Sequence, residues 1–444
     1  MRDDEAINAA REAVAIAMKQ GAVAAEAVAS LGSRFSVEAR QTTVTKLERS
    51  IGKSLSLRVF VEGGRKAALS TADFSHDSLR GAIARAVAQA AVVGADPHAG
   101  LPDQTADSIP DLGLFDDAIA ARDDAAGIDD VLEMERELRA SDARIDNSNG
   151  SHYAGGVSTH ALANSNGFSG VYSTTRASRS ASPVASDGEH KRTAHYGTAA
   201  RRLDELESNA SVARMAARRT VEMFGAGRPA TMRVPVIFER DVAAAVLSDV
   251  FSAVSAANVA VGNSWLSGRL DERIGSDAVT IVDDGRSAGR LGSSPFDSEG
   301  VATRRTVVVE RGILRTFLYD TYYARRLGAA TTGNASGSGI GPNNFYLEPG
   351  SGSLDDLIAS TGRGVLVLDT IGFATEHATG TFSRGARGFC IEGGELVGPI
   401  EEFTIAASLP DMLAGIDAAA GDLHFDASIV APSFRVAQMQ VSGI

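Results

Sequence analysis

Apolar residues recur at helical spacing through residues 5–19, with Ile7, Ala10, Val14, Ala17 and Met18 on one face and Gly21 just past the end. Glycine enters the left-handed conformation without a Cβ penalty, so it predicts the stop of this helix. Alternation of period two then takes over. Residues 36–48, 54–61 and 66–70 alternate, and Glu62-Gly63-Gly64 is a turn signal, which together predict a meander or hairpin pair. Residues 79–93 predict an alanine-rich helix with Leu79, Ile83, Ala86, Val87 and Ala90 as its buried stripe, and residues 128–139 predict another. Between the two helices, Pro97, Pro102, Pro110 and several aspartates mark a surface excursion.

From 147 to 196 the chain turns to Ser, Thr, Gly and Ala. Breaks at Asn147-Ser148-Asn149-Gly150, Ser165-Asn166-Gly167 and Ser186-Asp187-Gly188 separate short alternating runs. This predicts an antiparallel sheet with tight turns and small residues on a wet or partner-facing side. A flexible Ser-rich linker is the alternative, and alternation through 157–163 argues against it. A helix is expected over 203–224, closed by Gly225, with a domain boundary at Arg228-Pro229. Beyond it come a strand at 234–238, a helix from Asp241 to about Val254, and strands at 278–283, 306–310, 313–319 and 364–368, with several more from Gly388 on. Many strands with few short helices imply a β-rich unit. The fold class expected is therefore α+β, with a mixed α/β N-terminal domain over 1–227 and a β-rich C-terminal domain over 228–444.

A length of 444 residues suits two to three domains. One cysteine allows no intrachain disulfide and fits a reducing cytoplasm, the expected location. The acidic start, Met1-Arg2-Asp3-Asp4-Glu5, is unlike a signal peptide, and no apolar run approaches a membrane span. A net charge of −13 argues against a nucleic-acid partner, because phosphate binding needs clustered Lys and Arg.

Few residues offer chemistry of their own. His190 and His195 form a tempting pair, but in one strand their spacing would put the rings on opposite faces. Cys390, between Phe389 and Ile391, is expected to be buried and inert. Ser383 lacks the Gly-x-Ser-x-Gly turn of a hydrolase elbow. The segment from Gly333 to Gly341 is glycine-rich, yet it has no Walker lysine and no Gly-x-Gly-x-x-Gly, so close backbone approach is the better reading.

The last third carries the most specific wording. Thr321-Tyr322-Tyr323-Ala324-Arg325-Arg326-Leu327-Gly328 leads to Thr331-Thr332-Gly333-Asn334-Ala335. Further on stand Gly380-Thr381-Phe382-Ser383-Arg384-Gly385-Ala386-Arg387-Gly388-Phe389 and Ile391-Glu392-Gly393-Gly394-Glu395-Leu396. In this order and spacing the chain resembles the TldD/PmbA family, in its PmbA (TldE) branch. Two departures are Cys390, where an aromatic residue is usual, and Ala406-Ala407-Ser408-Leu409 in place of Ala-Gly-Asn-Leu.

The TldD branch carries a zinc-protease His-Glu-x-x-x-His helix motif, and the resemblance sets Ser248, Asp249 and Ala253 at those positions. Neither a hydroxyl nor a methyl replaces imidazole as a zinc ligand. No catalytic residue, metal ligand or cofactor is therefore expected in this chain, and the resemblance implies zinc in a TldD-like partner subunit. It implies a heterodimer that cleaves unfolded or leader peptides, with an extended peptide as substrate; charge and hydropathy add that neither nucleic acid nor membrane is expected as partner. The alternative is a homodimer that binds peptides or acts as a scaffold without protease activity. Thr332, Gly333, Asn334, Ser383 and Arg384 are the candidate contacts for peptide or partner.

Overall fold

The computed structural model describes residues 2–337, 339–372 and 375–444, so Met1 of the acidic start and Ser338 of the glycine-rich segment lie outside the described residues. The first half contains α1 (Arg2–Lys19), β1 (Ala24–Arg40), β2 (Thr43–Val61), β3 (Arg65–Thr71), α2 (His76–Val92), α3 (Asp117–Ala120) and α4 (Asp124–Ser141). It continues with β4 (Ile145–Asn164), β5 (Ser169–Asp187), β6 (His190–Thr193), β7 (Tyr196–Ala200) and α5 (Asn209–Val221). These strands form one antiparallel sheet in the order β3-β2-β1-β4-β5-β6, with β7 also paired to β5.

The pleat decides what each face carries. On β1 the odd positions Ala25, Ala27, Ala29, Leu31, Val37 and Ala39 are buried. Some of them pack with Ile7 and Val14 of α1 and with Leu79 and Ile83 of α2. Further along, α4 and α5 cover Val37, Tyr153, Ala177 and Ala181. The even positions, Gly32 and Arg34 among them, face the other way.

The second half contains β8 (Met232–Phe238), α6 (Arg240–Val254), α7 (Ala256–Ala260), β9 (Ile281–Asp284), β10 (Arg305–Glu310), β11 (Ile313–Leu314) and α8 (Thr321–Leu327). Then come β12 (Ala335–Ser336), β13 (Gly339–Ile340), β14 (Phe345–Leu347), α9 (Leu354–Ala359), β15 (Arg363–Ile371) and β16 (Thr375–Glu376). It ends with β17 (Thr381–Glu392), β18 (Glu395–Ser408), α10 (Leu409–Gly415), β19 (Ile416–Ala419), β20 (Ile429–Val430) and β21 (Phe434–Ser442). Strand β15 pairs with both β8 and β17, β8 with β21, β21 with β18, and β18 with β17. The ring β8-β21-β18-β17-β15 therefore closes into a barrel, and closure removes the open edges a sheet would otherwise present. The α+β expectation holds as a curled antiparallel sheet with helices, followed by a half built on this barrel. Among the described residues no helix is long and apolar enough to cross a membrane.

Side chains tie the halves together. Arg58 of β2 pairs with Glu26 and, at 3.1 Å, with Glu299. Arg192 grips Glu401 with both terminal nitrogens at 2.5 Å, and Arg325 reaches the Leu101 carbonyl at 2.6 Å.

Several expectations need correction. Residues 36–48 are two strands, because Gln41 (φ 61°) and Thr42 turn the chain between β1 and β2. Asn147-Ser148-Asn149-Gly150 is no turn; it lies inside β4, where its register against β5 shifts twice. The fifth α-helix begins at Asn209, where the Ser208 side chain caps it, and Leu203–Glu205 is a separate 3-10 turn. The strand expected over 313–319 stops at Leu314, since Leu318 exchanges backbone bonds with Val254 and Ala256 instead. His190 and His195 do not share a strand, as His195 joins β6 to β7. Cys390 is only partly buried.

Candidate functional site

Helix α6 follows β8 directly, and Glu239 caps its start by accepting a hydrogen bond from the Asp241 amide. Val242, Val246, Leu247, Val250, Ala253 and Val254 form its buried stripe. Phe251 is partly buried and stacks edge-on against Phe345 with ring centroids 5.3 Å apart. Ser248 donates its hydroxyl back to the Ala244 carbonyl at 3.1 Å. The Ala253 methyl is wholly enclosed.

Asp249 is different. Its Oδ2 accepts from Arg384 Nη2 at 2.7 Å and from the Thr375 hydroxyl at 3.0 Å. Burial pushes the Asp249 carboxyl up, while Arg384, Thr375 and His377 pull it down. The Arg384 guanidinium also lies 5.0 Å from the Phe382 ring centre, and its Nε is buried without a hydrogen-bond partner. Arg384 thus sits in the fold with a carboxylate already bound. Ser383, its neighbour on β17, is half-buried opposite Ala406.

A cavity of about 420 Å³ lies beside this pair, lined by His195, Arg219, Asp241, Ala245, Asp369 and Arg384 among others. Arg219 holds Asp241 at 2.7 Å and Glu239 at 3.2 Å, and it stacks 4.8 Å from the centre of the Tyr196 ring. Burial, with help from Asp241, lifts Glu239 to about 7, whereas burial lowers His195. Through His195, Arg219 and Asp241 this cavity adjoins one of about 300 Å³. That one shares Arg176 and Ser178 with a cavity of about 620 Å³ over the sheet. Through His160 the last adjoins a cavity of about 210 Å³ lined by Asp297, Asn334, Ala335 and Asn343. Four neighbouring cavities thus lie between the glycine-rich loop and α6.

Of the expected contact residues, Asn334 lines the cavity of about 210 Å³ and Arg384 the one of about 420 Å³, while Thr332, Gly333 and Ser383 line neither. Asn334 donates to Asp283 at 2.7 Å and to the Gly341 carbonyl at 3.0 Å, and Asn343 donates to the same Asp283 oxygen at 2.8 Å. Burial raises Asp283 to about 6 against the pull of these donors. The Thr332 hydroxyl closes on both backbone groups of Tyr319. Gly333 has φ 75°, and a Cβ there would come within 2.7 Å of the Ala302 carbonyl, which is the close approach its sequence suggests. Thr332 and Gly333 shape the loop, while Asn334 lines the cavity beside it.

Sequence reasoning missed Asp283, Thr375, Arg34 and Arg176. Only Asp283 left a signal, as an acid that directly ends the strand-like run from Val279 to Val282. Among the described residues no three His, Cys, Asp or Glu side chains gather to hold a metal.

Residues 231–443 match the PmbA/TldA metallopeptidase C-terminal domain, 117–224 the central domain and 25–90 domain 1. A metalloprotease PmbA homolog of Haemophilus influenzae is 33% identical over 445 residues, covering 100% of this chain and 97% of the relative. Metalloprotease PmbA of Escherichia coli O157:H7 is 31% identical, covering 94% and 92%. A crystal structure from Bacteroides thetaiotaomicron, described as a modulator of DNA gyrase, superposes with TM-score 0.94 at 27% identity over 100% of both chains. TldE from Thermococcus kodakarensis shares the fold at TM-score 0.89 and 20% identity, over 98% of this chain and 100% of that one.

Proposed function

This chain belongs to the PmbA/TldD family of metallopeptidases, and from that premise we propose that it is the subunit that completes a peptide chamber without holding the zinc. The observation that carries the reading is the Arg384 guanidinium at 2.7 Å from Asp249, on the helix where the resemblance sets the metal motif. A zinc site needs imidazole, thiolate or carboxylate ligands held free for the ion. Ser248 and Ala253 offer none, and a guanidinium beside the remaining carboxylate repels a dication, so these residues do not fit zinc.

Zinc and the general base would come from a TldD-like partner, and this chain's residues would bind and orient an extended peptide. Open strand edges hold such a peptide by main-chain bonds, which tolerate many sequences. The division at 227/228 and a cytoplasmic location belong to the same proposal. The division is supported by a central-domain match that ends at 224 and a C-terminal match that begins at 231.

The test is elemental analysis and peptidase assay on the untagged chain, alone and with a family member bearing His-Glu-x-x-x-His. Near-zero zinc alone, with chelator-sensitive cleavage of an unfolded protein only in the mixture, is the expected result. About one zinc per chain, or activity of the pure chain, overturns the reading. A metal-free self-dimer that ignores the second chain replaces it with the scaffold.

A further inference from the structure

The cavity of about 620 Å³ lies on the sheet face that α1, α2, α4 and α5 leave uncovered. Strand register sets Ser50, Arg34, Gly156 and Arg176 in one row across β2, β1, β4 and β5. The arginines are two strand spacings apart, about 10 Å at the backbone, with a glycine between them. A Cβ on that glycine would come within 2.6 Å of the Ser33 carbonyl, so the notch stays open. The next row along is Gly52, Gly32, Ser158 and Thr174, a floor of small side chains.

Arg34 and Arg176 are exposed and have neither a hydrogen bond nor an ion pair among the described residues. Arg201, at the wall, donates to the carbonyls of Thr175, Arg290 and Leu291 rather than to a carboxylate. Among the described residues no Asp or Glu lines the cavity, although the chain carries a net charge of −13. Positive charge is therefore concentrated here without an internal counter-ion. Strands β1 and β4 already have neighbours on both sides, so nothing can join them by strand addition. A ligand on this face must be held by side chains, and guanidinium groups take carboxylates and phosphates. Among the described residues no Phe, Tyr or Trp lines the cavity, so they offer no stacking platform of the kind single-stranded nucleic acid uses.

We propose that this groove binds an acidic segment of an extended peptide, with Arg34 and Arg176 taking its carboxylates. The inference rests on the peptide-handling part of the function proposed above and adds a preference for negative charge.

Fluorescence anisotropy on the full chain alone tests it, using a fluorescein-labelled flexible peptide with a glutamate cluster and its glutamine and lysine counterparts. The glutamate peptide is expected to bind about tenfold more tightly than the glutamine one, with the preference fading as salt rises. In Arg34→Ala/Arg176→Ala, shown to be folded by circular dichroism, the preference should vanish while affinity for the glutamine peptide stays. Arg34→Glu/Arg176→Glu should favour the lysine peptide. Equal binding of the two peptides, a preference retained in the alanine variant, or displacement by a single-stranded oligonucleotide better than by unlabelled glutamate peptide overturns the proposal. The assay needs neither metal nor second chain. Acid-selective binding without any zinc-bearing partner would leave this site standing and the subunit reading fallen, and the reverse result would separate them equally.

Discussion

The Arg384 guanidinium lies against Asp249 where water barely reaches, with 8% and 12% of the two side chains exposed. Removing either partner leaves an uncompensated charge, so Arg384→Ala should cost about 3–5 kcal/mol in urea unfolding. Arg384→Ala/Asp249→Ala should recover much of that loss, giving a coupling of about 1–3 kcal/mol. Additive losses would mean that the two groups do not act as a pair. The sequence shows at once that Ser248 and Ala253 are poor metal ligands, because side-chain chemistry is local. It does not show what Asp249 touches, because Arg384 lies 135 residues away along the chain. Asp283 and Asn334 are hidden in the same way, 51 residues apart.

Secondary structure was legible wherever one period held over several residues. Helix α6 was found nearly end to end, since its stripe and its caps agree. The turn at Gln41 was invisible because alternation is kept on both sides of it, and no Gly or Pro marks it. The barrel was beyond reach for another reason: closure depends on β15 pairing at once with β8 and β17, which no local pattern encodes. At that seam Gly388 faces Val367, and a Cβ on it would lie 1.8 Å from the Leu366 carbonyl. Gly388→Ala should therefore force the seam apart and cost about 3 kcal/mol or more, read as a lower melting temperature. A variant as stable as the parent would show that the ring yields at this point.

The α+β class and the order of the two halves were readable from composition and strand density, whereas the contacts between them were not, because they join residues far apart in the chain, as Arg58 and Glu299 do across 241 positions. Burial, with Glu299 beside it, lifts Asp297 to about 8, and burial lifts Asp283 to about 6. An unfolded chain releases such protons near pH 4. The folded protein keeps them, so this stability is complete below about pH 4 and is lost as pH rises through about 6 and then about 8. Unfolding free energy should therefore fall between about pH 4 and about pH 8, and less steeply in Asp297→Asn. An unchanged slope in that variant would remove Asp297 as the source. The closed ring has one more consequence, which concerns time. Strand β21 sits between β8 and β18 yet follows both in the chain. During synthesis both neighbours wait with open edges until residues 434–442 emerge from the ribosome, so the barrel half cannot mature as it is made and depends on its last strand to seal it.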